Sequence, residues 1–190
     1  MSLEEFFDRV KSEYKEAGFI HRLDRNTDGI IFFSLNETAE KELIEGFKER
    51  YFEKYYLTEV YGKPKKEHER LEAYLVKDEK NSLVKVYGEK RENAEKIITE
   101  YTVKKAVGET AVLEVKLITG KTHQIRAHLS YENLFILGDG KYGRNDVNKK
   151  FNLKYQKLTA YKAVLHFSAD KKLSYLDGKV FEIKTDKYGV

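Results

Sequence analysis

The 190-residue sequence contains no cysteine, no tryptophan and a single proline. The lack of cysteine excludes disulfide bonds, thiolate zinc sites, iron–sulfur clusters and a cysteine nucleophile. It is also typical of proteins from a reducing compartment, so the sequence favours a cytoplasmic location. Aromatic packing or stacking must come mainly from the 14 tyrosines and 11 phenylalanines.

Long apolar stretches are missing as well. No run approaches the roughly 18 consecutive apolar residues of a membrane-spanning helix, and the acidic, amphipathic amino terminus is unlike a signal peptide. The sequence therefore predicts no membrane partner. Hydrophobic residues still make up 41% of the chain, which is enough for the core of one domain.

Positive charge is concentrated in the carboxy-terminal half. Residues 1–100 contain 19 Lys and Arg against 23 Asp and Glu, whereas residues 101–190 contain 17 against 9. A basic half of this kind suggests an anionic partner such as nucleic acid. A lysine-rich, solvated surface without a specific partner explains the same numbers equally well.

Helical signals occur at three places. Ser-Leu-Glu-Glu at 2–5 resembles a capping box and predicts a first helix that Gly18 closes. Asn36 is expected to cap a second helix over about 37–50. Thr122 is expected to cap a third helix that continues to about residue 131.

The remaining regular structure is predicted to be strands joined by short turns. A buried strand is expected at 29–35, and further strands at 55–61, 71–76, 83–87, 97–107, 111–118, 160–168 and 180–185. Short turns favour antiparallel neighbours, so the predicted fold is α+β, with a mixed, mainly antiparallel sheet and a few flanking helices. The first 20 residues show no strand, which suggests one domain over residues 1–190 that is truncated at its amino terminus.

Three segments carry polar residues of catalytic type, and Asp24 lies in the first. It is flanked by Arg22 and Arg25 in His-Arg-Leu-Asp-Arg at 21–25. An aspartate beside two arginines is expected to be charged, as a carboxylate nucleophile must be. On composition alone, a surface turn with internally paired charges is the simpler reading.

The second and third segments surround Tyr56 and Arg126. On a strand Tyr56 faces away from Tyr55 and could reach a pocket, although an ordinary strand aromatic fits the pattern too. Thr119–Leu129 reads as a glycine turn followed by a helix start, where free amides can bind anions. A capped helix with a solvated polar face is the alternative. No metal site is expected, because the histidines are five residues apart and no cysteine is near.

Together these segments resemble the RluA-type pseudouridine synthases. His-Arg-Leu-Asp followed by Thr-x-Gly is similar to the catalytic loop of that family, and Lys-x-Tyr-Leu-x-x-Val-x-Gly at 54–62 is similar to its tyrosine strand. Thr-Gly-Lys-Thr-His-Gln-Ile-Arg-x-His-Leu at 119–129, with Gly-Asp-x-x-Tyr-Gly at 138–143, resembles its third motif. The order agrees, as do the intervals of 32 residues from Asp24 to Tyr56 and 102 from Asp24 to Arg126.

The resemblance implies an enzyme that isomerises uridine to pseudouridine in RNA without a redox cofactor or a metal. It implies that Asp24 is the nucleophile or charge stabiliser, that Arg126 pairs with it, and that Tyr56 stacks on the uracil and could help to remove the C5 proton. The implied apolar wall around the uracil is Leu23, Ile125 and Leu165. The implied RNA contacts are Arg22, Arg25, Lys121, His123, Gln124, Lys141 and Arg144. Ribosomal RNA is expected as the target rather than transfer RNA, and a monomer as the active form.

Two residues depart from the family pattern. Asp28 stands where the family usually has serine or another small residue, and Lys121 stands where it usually has arginine. The charge of Asp28 could retune Asp24 or be paired by Arg25. The first strand of the family and an amino-terminal S4-type RNA-binding domain are not recognisable.

Two other functions remain open at the level of the sequence. One is a non-catalytic RNA-binding module that retains the synthase fold. The other is a carboxylate-dependent hydrolase that uses Asp24 and Asp139 as paired acids, which would need both groups close together in one site.

Overall fold

A computed structural model of the chain describes residues 3–49 and 51–190, so Ser2, on which the predicted capping box depends, lies outside it. The helices in the described residues are α1 (Leu3–Glu13), α2 (Glu37–Lys48), α3 (Gln124–Tyr131) and α4 (Asn145–Lys150). The strands are β1 (Gly18–Phe19), β2 (Asp28–Gly29), β3 (Phe33–Ser34), β4 (Phe52–Tyr61), β5 (His68–Asp78), β6 (Leu83–Tyr87), β7 (Glu95–Val107), β8 (Thr110–Leu117), β9 (Phe135–Ile136), β10 (Leu158–Leu165) and β11 (Val180–Glu182). Short 3-10 turns occur at Glu79–Asn81, Ser174–Leu176 and Asp186–Tyr188.

Nine of these strands form one sheet, which confirms the predicted α+β class with a mixed, mainly antiparallel sheet. Its main path runs β11-β10-β4-β8-β7-β5-β6, while β9 joins the edge of β4 and β2 joins β10. The β2–β10 pair is parallel and the other pairings in this sheet are antiparallel. Strands β1 and β3 form a separate antiparallel pair.

Helix α3 packs on one face of the sheet centre. Alternation along β8 sends Leu113 and Val115 into a cluster with Ile125 and Leu129 of α3. Val112 points the other way, into a cluster that contains Tyr188 from the carboxy-terminal turn. The central strands are therefore covered on both faces, and the start of α3 is held rigidly above β4 and β8.

The amino-terminal part differs most from the sequence-based prediction. Helix α1 ends at Glu13, and Gly18 begins the unpredicted strand β1 instead of closing the helix. The predicted strand 29–35 is wrong as one element, since Asp28–Gly29 pairs with β10 while Phe33–Ser34 pairs with β1. The apolar run is therefore divided between two different partner strands.

The other helix boundaries follow the sequence more closely. Asn36 caps α2 as predicted, and its Oδ1 accepts a hydrogen bond of 2.8 Å from the Ala39 amide. Thr122 is not the cap of α3. That position belongs to His123, which adopts a left-handed conformation with φ of 53° and makes no side-chain capping bond.

His128, on the inner face of α3, is a fully buried ionisable group. Its Nδ1 lies 3.0 Å from Thr99 Oγ1, and within residues 3–49 and 51–190 its Nε2 has no hydrogen-bond partner. Burial lowers the pKa of His128 to about 4. The charged imidazolium is therefore strongly disfavoured in the folded protein.

We expect this histidine to weaken the fold in mild acid. Its folded pKa is below the unfolded value of about 6.5, so the unfolded chain binds the proton more tightly and stability falls as the pH drops from about 6.5 towards 4. The contribution of His128 between pH 7.5 and 5.0 should be about 2 kcal/mol. Urea unfolding of the wild type and of His128→Gln at both pH values measures this contribution. The variant His68→Gln, at an exposed histidine, is the control. Equal pH dependence in all three proteins would contradict the prediction.

Candidate active site

A cavity of about 730 Å³ opens beside the start of α3. Its walls come from the loop 21–27, from β4, from the tip of the β5–β6 hairpin and from the turn that enters α3. The basic residues in the lining are Arg22, Arg25, Lys54, Lys77, Lys121, Arg126 and Lys141, and the acidic ones are Asp24, Asp78 and Glu79. The excess of positive charge suits an anionic ligand.

Asp24 and Arg126 meet in this cavity, as the sequence predicted. Arg126 Nη1 donates a hydrogen bond of 3.1 Å to Asp24 Oδ2. The side chain of Arg126 is 6% exposed and that of Asp24 is 25% exposed, so the carboxylate lies between the buried guanidinium and the open cavity. A charge-assisted bond of this kind orients the carboxylate towards whatever occupies the cavity.

A third charged residue, Asp139, holds Arg126 from the other side. Arg126 Nε donates to Asp139 Oδ2 at 2.7 Å and Nη2 donates to Oδ1 at 2.9 Å, which makes a bidentate pair. The Asp139 carboxylate also accepts hydrogen bonds from the amides of Lys141 at 2.8 Å and Tyr142 at 3.1 Å. Asp139 is therefore the main anchor of Arg126, and Asp24 takes the remaining nitrogen.

The electrostatics of this buried pair favour its charged form. Burial alone raises the pKa of Asp139, but the hydrogen bonds and charge of Arg126 outweigh it and the pKa is lower than usual. Burial likewise lowers the pKa of Arg126, while its bonds to Asp139 and Asp24 raise it above its ordinary value. Since Asp139 is committed to Arg126 and does not line the cavity, it is not available as the second acid of a hydrolase.

Tyr142 packs beneath this arrangement. The guanidinium carbon of Arg126 lies 5.1 Å from the centroid of the Tyr142 ring. The Tyr142 hydroxyl accepts a hydrogen bond of 2.8 Å from the Val84 amide and lies 2.9 Å from His123 Nδ1. Tyr142 thus connects Arg126, the start of α3 and the β5–β6 hairpin in one rigid unit.

The loop that carries Asp24 is fixed at its carboxy-terminal end. Gln156 Nε2 donates to Thr27 Oγ1 at 2.6 Å, and the Ile30 amide donates to the Ala160 carbonyl at 2.8 Å. Gly29 has a φ of +122°, and a Cβ there would lie 2.1 Å from the Ala160 oxygen. Only glycine allows this close approach to β10, which explains the glycine of the Thr-x-Gly motif.

Tyr56 lies on β4 opposite Ala160 of β10 and Val115 of β8, and it lines the cavity. It is half-buried and packs against the cluster under α3. Burial raises the pKa of its phenol, and the negative charge of Asp24 raises it further. The surroundings therefore stabilise the protonated phenol and make proton abstraction by Tyr56 in the free protein unfavourable.

The apolar lining near Tyr56 differs from the prediction in one position. Leu23 and Ile125 line the cavity, but Leu165 does not. Leu165 pairs with Phe52 at the far end of β4 and belongs to a separate cluster with Leu43 and Phe167. The prediction that Leu165 forms part of this cavity wall is therefore wrong. Leu158, seven residues earlier on the same strand, takes that place.

Two of the residues predicted to contact RNA have other partners in the structure. Gln124 is 2% exposed, and its amide is fully used by Thr119, Thr99 and the backbone of residues 98 and 121. It lines the cavity, but its side chain is committed to fixing the turn into α3. Arg144 lies outside the cavity, pairs with Asp146 and sits 5.4 Å from the Tyr61 ring centroid. Arg22, Arg25, Lys121, His123 and Lys141 do line the cavity.

Sequence reasoning assigned no role to Tyr142, Lys54, Lys77 and Leu158, and it considered Asp139 only as the second acid of a hydrolase. Asp139, Tyr142 and Lys54 belong to the quoted motifs, so a signal was present, but their partners were not readable from it. Lys77 comes from the hairpin tip, which has no motif. Across residues 3–49 and 51–190 there is no group of three or more His, Asp or Glu side chains placed to hold a metal ion. None of the helices in these residues is long and apolar enough to cross a membrane.

Comparison with known proteins gives consistent relatives. A family model described as RNA pseudouridylate synthase matches residues 2–131. The chain is 34% identical over 133 residues to ribosomal large subunit pseudouridine synthase D of Borreliella burgdorferi, covering 70% of this chain and 40% of that protein. It is 38% identical over 136 residues to the dual-specificity RNA pseudouridine synthase RluA of Escherichia coli, covering 70% of this chain and 61% of that protein.

The fold has solved counterparts. The structure of human RNA pseudouridylate synthase domain containing 1 superposes with a TM-score of 0.76 at 21% identity, over 95% of this chain and 73% of that chain.

A longer sequence alignment, 32% identical over 166 residues, covers 87% of this chain and 54% of ribosomal large subunit pseudouridine synthase C of Rickettsia bellii. The chain thus spans less than two thirds of these curated relatives. On the extent of the family match and the identity to these relatives, the chain belongs to the RNA pseudouridylate synthase family.

Proposed function

We propose that this chain isomerises uridine to pseudouridine in RNA, with Asp24 as the nucleophile. The observation that carries the proposal is the placement of the Asp24 carboxylate. It lines a basic cavity, is held by the buried Arg126 guanidinium, and lies near enough to Tyr56 for its charge to raise the pKa of that phenol. This set provides a carboxylate, its orienting cation and an aromatic surface in one site.

The reaction breaks the bond between uracil N1 and ribose C1′, turns the base and forms a bond from C5 to C1′. The proton leaves C5, and N1 ends with a proton, so there is no net oxidation and no redox cofactor is needed. Asp24 would attack the ribose or stabilise the charge that develops there, while Arg126 holds it in place. No other described residue combines a cavity-facing carboxylate with a buried cationic partner.

We assign Tyr56 a stacking role. The raised pKa keeps its phenol protonated at neutral pH, which suits a flat apolar surface for the uracil ring and does not suit a base. Leu23, Ile125 and Leu158 would complete the apolar wall. If Asp24 became covalently bound during the reaction, the loss of its charge would remove one of the two causes of the raised pKa.

RNA would enter with the target nucleotide turned out of its stack. The cavity volume lies within the range of about 300–1,000 Å³ that is usual for small-ligand sites, so a single nucleotide can be accommodated. Arg22 would occupy the space left by the flipped base, and Arg25, Lys121, His123 and Lys141 would face the backbone. We propose large-subunit ribosomal RNA as the target, because two of the relatives carry that target in their names, and a monomer as the active form.

Mapping of modified bases tests this proposal. The protein is incubated with transcripts of large-subunit ribosomal RNA and of transfer RNAs, and pseudouridines are located by carbodiimide labelling and primer extension. The expected result is modification at one or a few uridines of ribosomal RNA. Tight RNA binding without pseudouridine in any transcript would instead identify a non-catalytic RNA-binding module.

Replacing Lys141 by alanine should weaken RNA binding more than turnover. Its ammonium lies at the cavity rim and donates to the Ser82 carbonyl at 2.9 Å, where it can also reach a phosphate. Loss of one phosphate contact should reduce the slope of log affinity against log salt by about 0.7 to 0.9. Binding titrations at several salt concentrations measure it, with Lys41→Ala on α2, away from the cavity, as control. An unchanged slope would exclude the phosphate contact.

A further inference from the structure

The carboxy-terminal 3-10 turn, Asp186–Tyr188, lies against the base of the loop that carries Asp24. Lys187 Nζ is 2.6 Å from Asp28 Oδ2. The next residue, Tyr188, is 5% exposed and its ring packs with Leu57 and Val112 on the sheet. The turn is thus seated on the sheet by Tyr188 and reaches the loop through Lys187.

Thr159 connects the same two parts of the chain. Its Oγ1 donates to Asp28 Oδ1 at 2.6 Å and lies 2.8 Å from the Tyr188 hydroxyl. A threonine hydroxyl has one proton, and the carboxylate can only accept, so Tyr188 must donate to Thr159. The hydrogen bonds run in one direction, from Tyr188 through Thr159 to Asp28, and Lys187 donates to the other carboxylate oxygen.

We propose that these four residues (Asp28, Thr159, Lys187 and Tyr188), here called the carboxy-terminal latch, position the catalytic loop so that Asp24 stays opposite Arg126. The proposal rests on the proposed function of Asp24. Arg126 holds the carboxylate of Asp24 itself, whereas the latch holds the side chain of Asp28, four residues further along the loop. The latch also explains the family departure at Asp28, since its charge is paired by Lys187 across 159 residues of sequence.

The latch adds to a small number of other contacts at the carboxy-terminal end of the loop. Thr27 is held by Gln156, and β2 has only two residues paired with β10. The side chains of Lys187 and Asp28 are 49% and 62% exposed, and an exposed ion pair contributes little to global stability. Loss of Lys187 should therefore loosen the loop without unfolding the protein, and its effect should appear in turnover.

The kinetic test uses Lys187→Met, which keeps the length and apolar stem of the side chain. We expect kcat to fall about 3- to 10-fold, since small misplacements of a reacting group are costly, while KM for RNA stays within about twofold. Lys187→Arg should restore most of kcat. The exposed neighbour Lys184→Met is the matched control and should behave as wild type.

A second reading of Lys187 is a direct contact to an RNA phosphate, and the same measurements separate it from the latch. A phosphate contact predicts a higher KM and a smaller salt slope with kcat unchanged. The latch predicts a lower kcat with the salt slope unchanged. A normal kcat in Lys187→Met, or the pattern of a phosphate contact, would overturn the proposal.

Hydrogen–deuterium exchange tests the latch independently of activity. The amides of Thr27 and Ile30 are protected by the carbonyls of Asp24 and Ala160. Lys187→Met and Asp28→Asn should speed exchange in residues 24–30 and leave the free energy of unfolding unchanged. Faster exchange in a protein whose wild type makes no pseudouridine would disprove the proposed function but keep the latch as a loop anchor. Unchanged exchange in an active protein would disprove the latch alone.

Discussion

Replacing Asp24 by asparagine is expected to abolish pseudouridine formation, with a loss of at least about 10³-fold in turnover. The amide has the size of the carboxylate and can still accept a hydrogen bond from Arg126 Nη1, so the site should keep its shape. An amide oxygen is a poor nucleophile and stabilises a developing positive charge much less than a carboxylate does. Single-turnover assays on a substrate transcript measure the effect.

The fold and RNA affinity of Asp24→Asn should stay close to those of the wild type. Asp24 is 25% exposed, so removing its charge does not leave a deeply buried group without compensation, and Arg126 keeps its bidentate partner Asp139. Asp170→Asn, which changes an exposed acid that does not line the cavity, is the matched control. Turnover by Asp24→Asn at the wild-type rate would refute the nucleophile assignment.

The three central residues were predictable because each lies in a motif whose residues are adjacent in sequence. The order and intervals of the segments around Asp24, Tyr56 and Arg126 carried the resemblance, and the alternation of apolar residues indicated the strands that support them. Five of the predicted strands, those at 55–61, 71–76, 83–87, 97–107 and 111–118, overlap β4 to β8. The alternation of apolar residues within each segment is sufficient to predict these strands, because they are long and their antiparallel neighbours show the same alternation.

The failures share a different physical cause, which is dependence on long-range pairing. Leu158 and Leu165 are both apolar residues of β10, and only the register against β4 decides which one faces the cavity. The partner of Asp28 comes from a turn 159 residues away and not from Arg25, which lies three residues before it in sequence. Gln124 looks like a polar surface residue until the strand β7 supplies Thr99 as its partner. Such contacts depend on tertiary structure and leave no periodic signal.

Asp139→Asn is expected to cost about 3 kcal/mol of stability and to reduce turnover strongly. The Arg126 side chain is 6% exposed, and removal of the Asp139 charge leaves this buried cation with Asp24 as its single carboxylate. Asparagine also has one acceptor oxygen where Asp139 uses two. Arg126 should then shift, and Asp24 would lose its fixed orientation. Urea unfolding and single-turnover rates measure the two effects.

A double-mutant cycle with Asp139→Asn and Arg126→Met separates the interaction between these two side chains from their interactions with the rest of the protein. If the cost of Asp139→Asn comes from an uncompensated buried cation, the double variant should lose less stability than the sum of the single variants. Asp146→Asn is the matched control, because this exposed acid pairs with Arg144 at the surface and its loss should cost at most about 1 kcal/mol. Unchanged stability in Asp139→Asn would mean that Asp24 alone compensates Arg126. If the single-turnover rate of Asp139→Asn were unchanged as well, the orientation of the nucleophile would depend on the arginine and the carboxy-terminal latch, and Asp139 would have no positioning role.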